Sequence, residues 1–358
     1  MRIGLVIYGS LDTLSGGYLY DRMLVRHLQA NGDQVEVVSL PWRSYLAHIG
    51  DNFSTALVQR LRGLQVDALL QDELNHPSLG RINRLLKDAA HYPVISIIHH
   101  LRCSEARPAW QNRLYARVER QYLTSVDAFI FNSQTTRRSV VELAGGGKPA
   151  VLAYPAGDRL SPMLSDEEII ARAGEPGPLR IFFLGNLIPR KGLHVLLQAL
   201  ALMPPKTWRL AVAGSQEMDQ VYTAAILRQV RSAGLEHQVQ FLGPLQEADL
   251  VQQFVLNQVM ALPSSYEGFG IAYLEGMGFG LPAIASTQGA AQEIITHGEN
   301  GFLIPPNGSR ELARCLLQLI ADRSQLAQMS LDARQRFVAH PTWEQTMKRI
   351  RDFLLETI

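Results

Sequence analysis

Short runs of Val, Ile, Leu and Phe recur along the first half of the chain with amphipathic stretches between them. They are RIGLVIY from Arg2, QVEVVSL from Gln34, VDALLQ from Val66, PVISII from Pro93, VDAFIF from Val126 and AVLAYP from Ala150. Such runs, separated by helix-length segments, predict strands covered on both faces and hence a doubly wound parallel sheet. The rhythm stops near Pro155. The following PAGDRLSPMLSDEEIIARAGEPGPLR is dense in Pro and Gly and reads as a connection around a short helix. It then restarts with RIFFLG from Arg180, WRLAVAG from Trp208, QVQFLG from Gln238, QVMALP from Gln258, PAIAS from Pro282 and NGFLIP from Asn300. Helices are expected over 192–202, 217–233, 271–279 and 309–321. The tail TWEQTMKRIRDFLLETI predicts one more. The expected architecture is α/β, with two Rossmann-like doubly wound domains facing an interdomain cleft: residues 1–165, residues 166–340, and a helix over 341–358 that packs back on the first domain.

Length and composition add bounds to this picture. At 358 residues the chain exceeds one ordinary core, and 47% hydrophobic with 19% charged residues is a globular composition. A formal net charge of +1 gives no case for a nucleic-acid partner. Cys103 and Cys315 lie far apart, and the opening MRIGLVIY reads as a strand rather than a leader, so a cytoplasmic setting is expected. The longest apolar runs fall short of the ~20 residues that cross a bilayer, which leaves only peripheral contact at the inner membrane face.

Three strand ends carry candidate chemistry. After the first strand, Gly16 and Gly17 precede a helix whose N-terminal amides could face an anion or a sugar hydroxyl; a plain strand-to-helix turn explains them equally well. This is neither G-x-G-x-x-G nor a Walker A sequence, which disfavours a nicotinamide dehydrogenase. After RIFFLG, Arg190 and Lys191 stand just before a helix, where two cations and free amides can neutralise a diphosphate. A solvated basic pair is the bland alternative. After QVMALP come Glu267, then Gly268 and Gly270 around Phe269, then a helix from Ile271 with Glu275 about one turn in. The glycines allow close approach of backbone to a ligand. Ionised carboxylates only accept, so the two glutamates suit hydroxyl groups at either end of a ligand with an anionic middle, the layout of a nucleotide sugar. Gly276, Gly278 and Gly280 read as packing positions within this segment.

With these motifs the chain resembles family 4 of the retaining, GT-B-type glycosyltransferases. The resemblance runs through the N-terminal Gly-Gly loop, LGNLIPRKGLHVLLQAL, SSYEGFGIAYLEGMGFGLPAIAS and GAAQEIITHGENGFLIPPN, nearly the whole chain. It implies Glu275 for the donor ribose, Glu267 and the amides around Phe269 and Gly270 for the donor sugar, Lys191 for the diphosphate, and the turn at Leu245 for the base. It also implies a nucleoside-diphosphate sugar donor, a UDP-sugar foremost, a hydroxyl acceptor on a glycan, lipid or small molecule, and no metal or other cofactor. Asn186 departs from the pattern, since the family often has arginine there; Arg190 could supply the missing charge. An epimerase or phosphorylase on the same fold, or an inert sugar-nucleotide binder, remains compatible with these residues.

The fourth strand ends in His99 and His100. The resemblance places a histidine at the first of these near the donor's anomeric carbon, so His99 joins Glu267 and Lys191 as a candidate catalytic residue, acting by orientation and polarisation. A zinc site of His99, His100 and Cys103 lacks an evident fourth ligand. Asn132 and Ser133 end the next strand, where Ser133 or Thr135 can cap a helix carrying Arg137 and Arg138. The stretch from Arg102 to Leu123 mixes Arg107, Arg113, Arg117 and Arg120 with Trp110 and Leu114, which predicts a helix packed on its own domain with a solvated arginine face, or one resting on an anionic membrane.

Overall fold

The computed structural model describes residues 1–87 and 90–358. The chain forms two units, Met1–Pro155 with Thr342–Ile358, and Ala156–Pro341. Residues 156–165, grouped with the first domain in the sequence reading, fall in the second unit.

In the first unit, β1 (Arg2–Tyr8), α1 (Gly16–Ala30) and β2 (Gln34–Leu40) are followed by helices α2 (Tyr45–Asp51) and α3 (Thr55–Arg62). Then come β3 (Ala68–Asp72), α4 (His76–Lys87), β4 (Val94–Ile98), α5 (Ala109–Leu123), β5 (Ala128–Phe131), α6 (Gln134–Ala144) and β6 (Ala150–Leu152). All strand pairs are parallel, in the order β2-β1-β3-β4-β5-β6. Every residue of β3, β4 and β5 is buried, as continuous apolar runs require, whereas the edge strand β2 is mostly exposed. Leu69, Val94, Ile98 and Phe129 meet Ile82 and Leu86 of α4 in the core. Ser133 is the cap of α6, accepting from the Thr136 amide at 3.0 Å. Helix α5 packs on α4 and buries Glu119, Tyr122 and Leu123, leaving Arg113, Arg117 and Arg120 exposed.

The second unit runs α7 (Asp166–Gly174), β7 (Leu179–Leu184), α8 (Leu193–Ala201), β8 (Trp208–Ala213), α9 (Gln220–Ser232), β9 (Val239–Gly243), α10 (Glu247–Leu256) and β10 (Val259–Leu262). It continues with α11 (Ile271–Gly278), β11 (Ala283–Ser286), β12 (Gly301–Ile304), α12 (Ser309–Ala321) and α13 (Arg323–Val338). The sheet is again wholly parallel, ordered β12-β11-β10-β7-β8-β9. Phe182, Phe183 and Trp208 are fully buried, and α8 buries Leu193, Val195, Leu196 and Leu197. Gly192 must be glycine: its φ is +74°, and a Cβ there would lie 2.1 Å from the Pro263 carbonyl oxygen. That close approach brings the start of α8 against the end of β10.

The last helix, α14 (Trp343–Thr357), returns to the first unit and packs on α1. Tyr20 of α1 meets Trp343 edge-on at 5.9 Å, and Arg351 pairs with Asp33 at 2.7 Å. Among the described residues no helix is long and apolar enough to cross a membrane.

Each sheet reverses strand order once, between β1 and β3 in the first unit and between β7 and β10 in the second. Open α/β sheets bind ligands beyond the carboxyl ends of the strands at such points. Gly16 and Gly17 follow β1, and Arg190, Lys191 and Glu267 follow β7 and β10, at these two points; His99 follows β4, the neighbour of β3.

Candidate functional site

In the first unit the candidates gather around His99, just past the end of β4. The Ser15 side chain caps α1 by accepting from the Tyr18 amide at 3.3 Å, so Gly16 and Gly17 open the helix. A Cβ on Gly17 would stand 3.2 Å from the His99 ring, so the glycine makes room for the imidazole. The backbone of His99 is held on two sides. Its amide donates to Glu73 Oε2 at 2.8 Å, and its carbonyl accepts from Asn132 Nδ2 at 2.8 Å. The ring's Nε2 lies 3.4 Å from Asp21 Oδ1, an ion-pair distance longer than a good charged hydrogen bond. Asp72, at the end of β3, uses Oδ1 to accept from the Leu74 amide at 2.8 Å, and its buried Oδ2 has no hydrogen-bond partner among the described residues.

Charge in this cluster is redistributed by burial. Burial opposes a charged His99, but Asp21, Asp72 and Glu73 outweigh it and raise the imidazole to about 9. Burial, and then Asp21, pushes Asp72 well above the carboxylate range, and burial raises Glu73 as well. His100 faces Glu105 with Nε2 at 3.0 Å and donates its amide to Glu73 Oε2 at 3.4 Å. Burial pushes the Cys103 thiol up, away from the thiolate that zinc needs. The trio His99, His100 and Cys103 is therefore not what the fold assembles. The ligand-type atoms that do converge are those of Asp21, Asp72 and His99, all within 4.8 Å of one another.

In the second unit, the loop after β7 and the loop after β10 interlock. Arg190 Nη1 donates to the Tyr266 carbonyl at 2.9 Å, and the Arg190 carbonyl accepts from the Ser265 amide at 2.8 Å. Lys191 Nζ donates to Glu267 Oε1 at 2.6 Å, the Ser264 hydroxyl donates to the same oxygen at 2.7 Å, and Arg190 stands 3.8 Å away. Burial acts to raise Glu267, but Lys191 and Arg190 hold it down at about 2. The Lys191 ammonium is itself pushed down by burial despite Glu267 beside it. The cluster is therefore carried by the several donors converging on one carboxylate, not by the lysine pair alone. Asn186 is committed elsewhere: its Oδ1 accepts from the Ser215 amide at 3.0 Å.

Gly270, φ +104°, precedes α11, whose first residue is Ile271, and among the described residues no side chain caps this end. An end of this kind favours an anion through its amides and dipole. Gly268 lies in the preceding loop, and Phe269 is buried against His340 with ring centroids 5.7 Å apart. Glu275 is buried and pairs with Arg159 Nε, while Arg159 Nη1 bonds Glu247 at 2.8 Å. Burial raises Glu275, and Arg159 pulls it back. Leu245 is half-buried in the turn just before Glu247, at the same end of the site as Glu275. Gly276 and Gly278 face Met260 and the Phe337 and Pro162 side chains, where a Cβ would come within about 3.0 Å, in line with packing roles.

The fold thus brings Arg190, Lys191 and Glu267 together, and sets Leu245 beside the Glu275 end. Residues that sequence reasoning passed over are Asp21, Asp72 and Glu73 around His99, Ser264 on Glu267, and Arg159 on Glu275. The one signal available for Asp72 was an acidic residue closing an apolar strand. Asp21 gave none, because a helical aspartate four residues beyond Gly17 reads as a solvated position.

The sequence matches the family profile of "Glycosyl transferases group 1" over residues 165–336 and that of "Glycosyl transferase 4-like domain" over residues 21–157. Among curated proteins, D-inositol 3-phosphate glycosyltransferase of Nocardia farcinica is 26% identical over 274 residues, covering 73% of this chain and 60% of that one. The Corynebacterium urealyticum enzyme of the same name is 28% identical over 243 residues, 65% of this chain and 57% of that one. The chain therefore spans less than two thirds of the length of these relatives. Among solved structures, sucrose-phosphate synthase from Thermosynechococcus elongatus superposes with a TM-score of 0.85 at 20% identity over 99% of this chain and 98% of that one. Anabaena HepE in complex with UDP-glucose does so with a TM-score of 0.80 at 20% identity over 99% of this chain and 100% of that one. Likeness at this identity concerns the fold.

Proposed function

Since this chain belongs to the family 4 glycosyltransferases of GT-B type, we propose that it moves a hexose from a nucleoside-diphosphate sugar to an acceptor hydroxyl with retention at the anomeric carbon. The observation that carries this reading is the cluster at the second unit's switch point. There a buried carboxylate, Glu267, is held ionised by Lys191 and Arg190 next to the uncapped start of α11, with Glu275 one turn further on. Lys191, Arg190 and the α11 amides meet the diphosphate, Glu275 accepts from the ribose, and Glu267 accepts from hexose hydroxyls. A UDP-sugar is favoured because HepE was solved with UDP-glucose.

The transfer proceeds on one face of the sugar. The bond from the anomeric carbon to the diphosphate oxygen breaks as the bond to the acceptor oxygen forms, and the departing diphosphate takes the acceptor's proton. The charge growing on the diphosphate is met by Lys191 and Arg190, so the proposal requires no metal or other cofactor. The acceptor, a glycan, lipid or small molecule, is engaged by the first unit, whose His99 acts by orientation and polarisation. The setting is taken to be cytoplasmic, with Cys103 and Cys315 both free thiols.

Calorimetric titration with UDP-, GDP- and ADP-sugars, repeated with Glu275→Gln, tests this reading. One donor class should bind, and the variant should lose about 10-fold or more in affinity, the worth of charge-assisted hydrogen bonds at ~1.5–3 kcal/mol. Unchanged affinity removes Glu275 from the donor site. A second reading, binding without turnover, is favoured by one observation: Asn186 stands where a cation is common, and Arg190 is already engaged with the Tyr266 carbonyl. A donor that binds yet is not consumed with any acceptor class selects it.

A further inference from the structure

We infer that Asp21 is a positioning residue for His99, its buried carboxylate holding Nε2 inward so that the ring's outer edge donates a hydrogen bond at the transfer site. This rests on the transferase reading above and deepens it. Asp21 is fully buried, and neither of its oxygens makes a hydrogen bond among the described residues; Oδ1 stands 3.4 Å from Nε2, and a carboxylate oxygen of Asp72 lies within 4.8 Å of the pair. A buried carboxylate left without a use is costly, so its placement beside an imidazole requires an explanation.

The geometry supplies one. Glu73 and Asn132 pin the backbone of His99, and the absent side chain of Gly17 leaves room for the ring, so what remains to be set is which edge faces inward. Helix α1 brings Asp21 to that inner edge, one turn after Gly17. Nε2 is inaccessible, and the remaining side-chain exposure, 10%, belongs to the rest of the ring.

The groups facing the imidazole are Asp21 and the edge-on Tyr20 ring from α1, Asp72 from the end of β3 and Glu73 from the turn that follows; Thr136 of α6 meets only the His99 backbone, its hydroxyl 3.5 Å from the carbonyl. Glu73 is engaged with the His99 amide and Asp72 with the Leu74 amide, which leaves Asp21 as the carboxylate at ion-pair distance from the ring nitrogen. A histidine buried without a counter-charge would be neutral, and one nitrogen would then only accept. Held as the cation, His99 offers a charged donor where a sugar hydroxyl or the departing oxygen gains negative charge, and it holds its proton throughout.

Histidine-selective NMR titration of the ligand-free protein tests the pair directly. His99 should titrate near 9 in the wild type, and Asp21→Asn should move its midpoint down by about 1 to 3 pH units, the effect of losing an adjacent opposite charge. With the donor identified above, kcat one pH unit below the wild-type midpoint should fall about 2-fold where the midpoint drops by about 1 pH unit and about 10-fold where it drops by about 2, while donor affinity changes less than about twofold. Asp21→Glu, which keeps the charge, should recover part of both. An unchanged His99 midpoint in Asp21→Asn overturns the inference, including where the variant loses thermal stability and kcat together, since that is a purely structural role. One equivalent of divalent metal held by the wild type and lost in Asp21→Asn also overturns it, assigning the trio to a cation. Absence of turnover with every donor defeats the transferase reading instead, and the NMR arm distinguishes the two failures.

Discussion

At the scale of single residues, Glu267 links the site to acid stability. Its folded-state value of about 2 lies below its ordinary 4.5 because Lys191, Arg190 and the Ser264 hydroxyl outweigh burial. A depressed carboxylate contributes stability that is fully present above its unfolded value and lost as pH falls through the folded one. Thermal unfolding followed between about pH 5 and pH 2 should therefore show a steep loss, to which Glu267 contributes. In Lys191→Met that slope should flatten, and stability at neutral pH should drop by about 2 kcal/mol. This is less than the ~3–5 kcal/mol for breaking an isolated buried pair, because Arg190 still faces the carboxylate. An unchanged slope would show that Arg190 and Ser264 suffice. The motif around Glu267 was legible from the sequence, and so was Lys191, but not their pairing. The two lie 76 positions apart, and only the interlocked loops after β7 and β10 bring them to one oxygen. Asp21 was illegible for a related reason: whether a helical aspartate faces solvent or a histidine is decided by what packs on the helix.

At the scale of elements, α7 shows how the second unit holds the helix that carries Glu275. Ser165 and Glu168 form a reciprocal cap at its start. At its other end, the buried Arg172 donates to the carbonyls of Phe254 at 3.0 Å, Phe279 at 2.7 Å and Gly280 at 2.9 Å. Those carbonyls lie at or just beyond the C-termini of α10 and α11, where the helix dipoles favour a cation. Burial lowers the guanidinium only to about 10, so it stays charged. Arg172→Leu leaves these carbonyls buried without a donor, at ~1–3 kcal/mol each. A loss of at least about 3 kcal/mol in chemical denaturation of the second unit is expected; a loss under about 1 kcal/mol would mean that water replaces the guanidinium. The strands were readable because both faces of each sheet are covered, so their runs are apolar throughout, and the four helices expected in the second half form within a few residues of their expected bounds. The domain division was less readable. Pro and Gly density marked the connection, but Gly157 lies so close to the backbone of Leu274 and Glu275 that a Cβ would come within 2.8 Å, and this packing ties residues 156–165 to the second unit.

At the scale of the whole molecule, the chain is organised so that its last helix completes its first unit. Trp343, Met347, Ile350 and Leu354 of α14 are each no more than 3% exposed, and the Thr346 hydroxyl donates to the Tyr154 carbonyl at 2.7 Å. The Tyr20 ring, which packs edge-on against His99 on one side, meets Trp343 on another. Removing residues 342–358 would expose that apolar face at ~1.5–3 kcal/mol per side chain, a sum comparable to the ~5–15 kcal/mol that stabilises an entire domain. The truncated protein should therefore lose amide protection in β1, β3, β4 and β5 while β7, β8 and β10 keep theirs, as read by hydrogen exchange. Retained protection in the first sheet would mean that its own core suffices and that α14 is an accessory. Because the His99 cluster rests on α1, the same experiment bears on function. A truncation that unfolds the first unit should abolish transfer yet leave donor affinity intact, since every donor contact proposed here except that of His99 lies between Asn186 and Glu275.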